Sequence, residues 1–122
     1  MASLSQELIS QCKDKLIETK SEILNRVHEA RRNLASEEKG GDEGDQTVRA
    51  LAESEFLRMN ERLRKQLVEI EMALHRIEQG TYGICEETEE NIEVDRLLAI
   101  PWTRLSIEGA EIRESMDKRY AR

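Results

Sequence analysis

Apolar residues recur every seven positions along the first third of the chain, at Ile9, Leu16, Ile23 and Ala30. Leu8, Cys12, Leu24, Val27 and Leu34 fill the adjacent rows. No glycine or proline interrupts this run, which predicts a helix over residues 3–36 carrying one narrow stripe through about four heptads. Ser3 or Ser5 is placed to cap its start, with Glu7 in the first turn. The pattern then stops. Residues 37–45 contain no hydrophobic side chain and three glycines, and predict an acidic turn. Periodicity resumes at Gln46 or Thr47 and runs to Gln79. Phe56, Leu63, Ile70 and Ile77 are again seven apart, thickened by Ala52, Met59, Leu67 and Leu74. Asp45 stands where the N-cap of this second helix is expected, and Gly80 where a left-handed C′ residue closes it.

Two long helices with narrow stripes and a short polar link bury those stripes most economically by folding back antiparallel. Pairing with helices of another chain satisfies the same pattern. A helix of about 32 residues spans about 48 Å, so the acidic turn marks the far end of such a hairpin. After Gly80 the texture changes to short apolar pieces, then Pro101-Trp102, then a final helix expected from about Ile107 to Tyr120. The chain therefore reads as mainly α, with a hairpin over 1–79 whose tip loop covers about 37–46. A small module and C-terminal helix follow over 80–122.

Composition supports seams rather than a deep core. Charged residues make up 37% and aromatics 3%, the latter being Phe56, Trp102, Tyr82 and Tyr120. The formal net charge of −7 speaks against a nucleic acid partner, because phosphate neutralisation supplies most of the affinity in such complexes. On charge pattern alone the basic cluster Arg62, Arg64 and Lys65 is a solvated helix face. No apolar run approaches the 18 or so residues of a membrane span and no signal peptide is recognised. The expected location is therefore the cytoplasm, with Cys12 and Cys85 as free thiols.

The module carries the most specific spacing. Gly80-Thr81-Tyr82-Gly83-Ile84-Cys85 leads to Thr88, and seventeen residues later come Ser106 and Gly109. Cysteine at 88, 106 and 109 would complete C-x2-C-x17-C-x2-C, the spacing of a four-cysteine zinc site. With Cys85 alone, zinc lacks its ligands, and Glu86, Glu87, Glu89 and Glu90 are poor substitutes. No metal or other cofactor is expected. Trp102, Ile84, Leu97, Leu98 and Leu105 are the expected apolar filler, while Thr88 and Ser106 are close enough to cysteine in volume to hydrogen-bond where a metal would sit. Such a fold would be insensitive to zinc supply or thiol oxidation. The flanking acids are expected to disfavour a Cys85 thiolate. Cys12, in the apolar stripe, reads as core.

Tyr82-Gly83-Ile84-Cys85, Ile92, Arg96-Leu97, Ala99, Pro101 and Ala110-Glu111-Ile112-Arg113-Glu114, taken in register, resemble the DksA/TraR proteins, bacterial regulators that bind RNA polymerase. The likeness covers about residues 40–115; the first helix matches only as a generic coiled-coil strand. The family's acidic tip, Asp-x-x-Asp-x-Ala, corresponds here to Asp42-Glu43-Gly44-Asp45-Gln46-Thr47, with threonine for alanine. The resemblance implies that the coil enters the secondary channel of RNA polymerase and that Asp42, Asp45 and Thr47 act there. It implies altered promoter-complex lifetime, hence altered initiation, with no chemistry by this chain and no direct nucleic acid contact. It also implies a polymerase contact through Arg62. Glu69 occupies a position that is basic in members responding to guanosine tetraphosphate, which speaks against that response here.

Other classes stay open on the residues alone. Asp42 and Asp45 could be only a loop acid and a helix cap. Heptads also suit an adaptor coil pairing with another protein or with itself, against which the expectation is a monomer. Acidic clusters can hold magnesium for phosphoryl chemistry, but a hairpin tip is convex and offers no pocket. Transcript-cleavage factors of the Gre type share an acidic coil tip, but the pattern from Tyr82 to Gly109 points away from them.

Overall fold

The computed structural model describes residues 4–37 and 43–120. Four helices follow in order: α1 Gln6–Glu37, α2 Glu43–Gln79, α3 Val94–Ala99 and α4 Ile107–Tyr120. The two long helices fall close to where the hydrophobic pattern places them, and the last one where propensity and spacing together do. Ser5 caps α1, its Oγ accepting the Leu8 N–H at 3.1 Å. Helix α2 begins earlier than its apolar stripe, at Glu43. Asp45 is thus in the first turn rather than at the N-cap. Polar, glycine-containing sequence carries no stripe, so periodicity could not register that extra turn.

The end of α2 is a Schellman closure. Gly80 adopts φ +76°, and its N–H donates to Ile77 O at 3.3 Å while Thr81 N–H donates to Arg76 O at 3.0 Å. The short helix α3 was not anticipated from sequence; at six residues it is too brief for a periodic signal.

The chain divides into two compact units, one of Met1–Ile17 with Glu69–Arg122 and one of Glu18–Val68. In the second unit α1 and α2 bury Ile23 and Leu63, with Ala30, Leu34, Ala52, Phe56 and Met59 lining a partly open seam. Leu24, assigned to the stripe from sequence, is 49% exposed; it lies one residue round the helix from Ile23 and points outward. The first unit holds the larger core: Cys12, Leu16, Ile70, Ala73, Tyr82, Cys85, Ile92, Leu97 and Pro101. Of the expected filler only Leu97 is fully buried. Trp102 and Leu105 are half-buried, while Ile84 and Leu98 are exposed, each beside a core residue, Cys85 and Leu97, that takes the inward position.

Among the described residues no helix is long and apolar enough to cross a membrane.

Candidate functional site

The module is built on a tight turn. Ile84 and Asn91 form an antiparallel bridge, Cys85 N–H donates to Glu90 O at 2.8 Å, and Glu89 N–H returns to Cys85 O at 2.9 Å. Closing so small a loop forces Glu89 to φ +61°, a left-handed conformation that side chains other than glycine and asparagine rarely adopt. The strand-like lead and the turn place Cys85 and Thr88 opposite the start of α4, where Ser106 and Gly109 stand.

These four positions converge. Ser106 Oγ donates to Cys85 Sγ at 3.4 Å and accepts the Gly109 N–H at 3.0 Å. Thr88 and the backbone at 88 and 106 lie close enough to the sulfur to favour its thiolate form. Thr88 Oγ1 in turn accepts Glu90 N–H at 3.3 Å. Burial pushes the Cys85 thiol up, but the hydrogen bonds from Ser106 and Thr88 outweigh it and hold the group down at about 6. This reverses the expectation drawn from the flanking acids. The carboxylates of Glu86 and Glu87 are turned to Arg104 and Arg113, while the Ser106 hydroxyl faces the sulfur.

Several of the residues that carry the resemblance hold this unit together. Tyr82 is buried and its hydroxyl donates to Pro101 O at 2.7 Å; burial raises its phenol far above the usual range. Ile92 N–H donates to Gly83 O at 2.8 Å, and its side chain is buried. Arg96 Nε donates to Leu105 O at 2.8 Å, and Leu97 is wholly buried beside it in sequence. Helix α1 joins in through the Cys12 thiol, which donates to Leu97 O at 3.8 Å, and through Lys15 Nζ, which donates to Leu98 O at 2.8 Å in the last turn of α3.

An ion-pair chain missed from sequence ties α2, the turn and α4 together. Glu69 meets Arg104 at 3.2 Å, Arg104 meets Glu86 at 3.4 Å, and Arg113 meets Glu86 at 3.3 Å and Glu87 at 3.1 Å. The signal available was two acids just after Cys85, with Arg104 shortly before Ser106 and Arg113 shortly after Gly109. Glu69 is therefore engaged within its own unit.

Asp42 lies outside the described residues, as does the side chain of Asp45. Thr47 and Arg62 are exposed on α2. The structure brings Cys85, Thr88, Ser106 and Gly109 together; Arg62 stands apart from them, in the unit of Glu18–Val68.

A two-helix hairpin rooted in a knuckle of this shape defines a class of helical-hairpin proteins with a small C-terminal finger module. Comparison with known families places it further. Residues 9–77 match the N-terminal domain of DnaK suppressor protein DksA, and residues 80–115 match the prokaryotic dksA/traR C4-type zinc finger. The chain belongs to the DksA/TraR family. It is 37% identical over 107 residues to the RNA polymerase-binding transcription factor DksA of Caulobacter vibrioides, covering 87% of this chain and 75% of that protein. A protein of Aquifex aeolicus is 38% identical over 112 residues, covering 88% and 77%. The structure of transcription factor DksA2 from Pseudomonas aeruginosa superposes with a TM-score of 0.86 at 32% identity, covering 93% of this chain and 88% of that one.

The family's finger is of the four-cysteine type, and the residues here do not fit a zinc ion. One thiol, two hydroxyls and a glycine without a side chain are not a tetrahedral thiolate set. Among the described residues no group of three or more His, Cys, Asp or Glu side chains could hold a metal.

Proposed function

We propose that this chain regulates transcription by binding bacterial RNA polymerase directly. In this reading the hairpin enters the secondary channel and its acidic turn, through Asp42 and Asp45 with Thr47 beside them, alters the stability of promoter complexes. Arg62, exposed on α2, contacts the polymerase. The chain performs no chemistry, binds no DNA itself and works as a monomer in the cytoplasm. The organisation is a hairpin over 1–79 and a module over 80–122.

The observation that carries this reading is the match of both family domains, end to end, on a chain that keeps the two tip aspartates at their spacing. Carboxylates suit a channel rich in magnesium and basic side chains, where long-range charge complementarity steers entry. Engagement of Glu69 by Arg104 fits a protein that acts without guanosine tetraphosphate at that position.

The test is binding to core RNA polymerase, together with the decay of open promoter complexes. The double substitution Asp42→Asn, Asp45→Asn should retain binding and lose the effect on decay. Absence of binding by the unmodified chain would refute the proposal. A second reading, an adaptor coil pairing with another protein or with itself, predicts a concentration-dependent dimer in sizing experiments.

A further inference from the structure

The family's finger is closed by a metal, and this one has kept the frame without the ligands. Ser106 precedes the first residue of α4, and its Oγ accepts the N–H of Gly109, three residues on. That is the geometry of a helix N-cap. Ala110 N–H donates to Ser106 O at 2.8 Å, the first helical hydrogen bond, and Glu93 supplies a second cap by accepting Ile107 N–H at 3.1 Å. A cysteine at 106 would cap poorly, its sulfur being a weak acceptor. The same hydroxyl donates to Cys85 Sγ, so one side chain fastens the turn to the helix.

Position 109 is the complement. A Cβ there would run into Cys85 Sγ and lie 3.3 Å from both Glu87 Cβ and Ser106 Oγ. The sulfur of Cys85 occupies the space that a side chain at 109 would need.

We infer that Ser106 and Gly109 together have replaced the metal as the closure of this module, Ser106 as a cap that also grips Cys85 and Gly109 as the vacancy into which the Cys85 sulfur packs. Cys85 is then an acceptor and a space-filler, and position 109 is committed to glycine for as long as that sulfur packs against it. This inference concerns how the module stays folded and stands whether or not the polymerase reading does.

The experiment uses the full chain, purified without added metal. Expected are less than about 0.1 zinc per chain and a melting midpoint unmoved by a strong chelator. One zinc per chain, or a midpoint that falls with chelator, overturns the inference. Ser106→Ala should lower the midpoint by about 5 °C or more, since it removes the cap and the grip on Cys85 at once. Gly109→Ala should lower the midpoint more in the native chain than in a Cys85→Ala background, where the sulfur is gone. An equal penalty in both backgrounds would show that Gly109 is not held by Cys85, and the inference fails. If Gly109→Ala does not fold, refolding of the Gly109→Ala, Cys85→Ala double variant supports the claim, and its failure to fold counts against it. Ser106→Cys supplies a second thiol at a family ligand position and is expected to lose stability without gaining zinc; tighter folding together with stoichiometric zinc would overturn the proposal.

Discussion

The two compact units bury their apolar residues in different ways. In Glu18–Val68 a repeating seam between α1 and α2 leaves Ile23 and Leu63 as the buried apolar positions among the described residues, and neighbouring large residues such as Leu24, Leu51 and Leu57 face solvent. In the other unit helix ends, a tight turn and two short helices converge, so side chains distant in sequence complete one another's burial. The first arrangement is local and tolerant; the second is non-local, and each member is gripped from several directions. The difference teaches where a substitution should be felt.

The contrast is broken most forcefully by Leu97→Ala, which opens a cavity at a wholly buried site beside the Cys12 and Arg96 attachments. A loss of about 2–5 kcal/mol is expected, against less than about 0.5 kcal/mol for Leu24→Ala in the other unit. Urea melts of both variants check it, and comparable losses would erase the distinction.

The hairpin was legible because a helical stripe is a local signal: Leu16, Ile23, Leu63 and Ile70 announce themselves by spacing alone. The module was legible only as a motif. Cys85, Thr88, Ser106 and Gly109 could be paired from a cysteine spacing, but not the reason for each replacement, which depends on an α4 N-cap and on one sulfur's position in space. Helix α3 left too short a pattern to read, and exposed Ile84 and Leu98 show that hydrophobicity alone does not say which way a residue in a turn will face. The tip acids were legible as a motif, and Asp42 lies outside the described residues.

The next contrast is in pH. Cys85 is held below its ordinary value of 9.0, at about 6, because hydroxyl and backbone donors favour the thiolate. A depressed acid contributes stability that is complete above its unfolded value and is lost as pH falls through the folded one. The module should therefore weaken between about pH 9 and pH 6. Urea midpoints across that range should slope upward with pH and flatten in Cys85→Ser; an unchanged slope in that variant removes Cys85 from the explanation.

Tyr82→Phe keeps the ring and deletes the hydroxyl that satisfies Pro101 O. Leaving that buried carbonyl unpaired should cost about 1–2 kcal/mol, read as a lower urea midpoint with unchanged helix content by circular dichroism. A neutral result would mean that water reaches the carbonyl and that this part of the core is looser than its burial indicates.

The smallest effect sharpens the comparison in the opposite direction, by relieving strain instead of adding it. Glu89 holds φ +61° in the turn that brings Cys85 and Thr88 together, and its side chain is exposed. A left-handed conformation costs an ordinary residue about 1–2 kcal/mol, and asparagine, whose short side chain hydrogen-bonds locally, tolerates it better. The turn retains that conformation because the bridge between Ile84 and Asn91 and the bond from Glu89 N–H to Cys85 O fix the backbone on both sides. Glu89→Asn should accordingly raise stability by about 0.5 kcal/mol. The same replacement at Glu53, exposed on α2 in the unit without such a turn, exchanges a good helix former for a poor one and should lower stability by a few tenths of a kcal/mol. Opposite signs for one substitution in the two units, read as urea midpoints, would establish that the module stores strain where the hairpin does not; equal signs would place Glu89 in an ordinary loop.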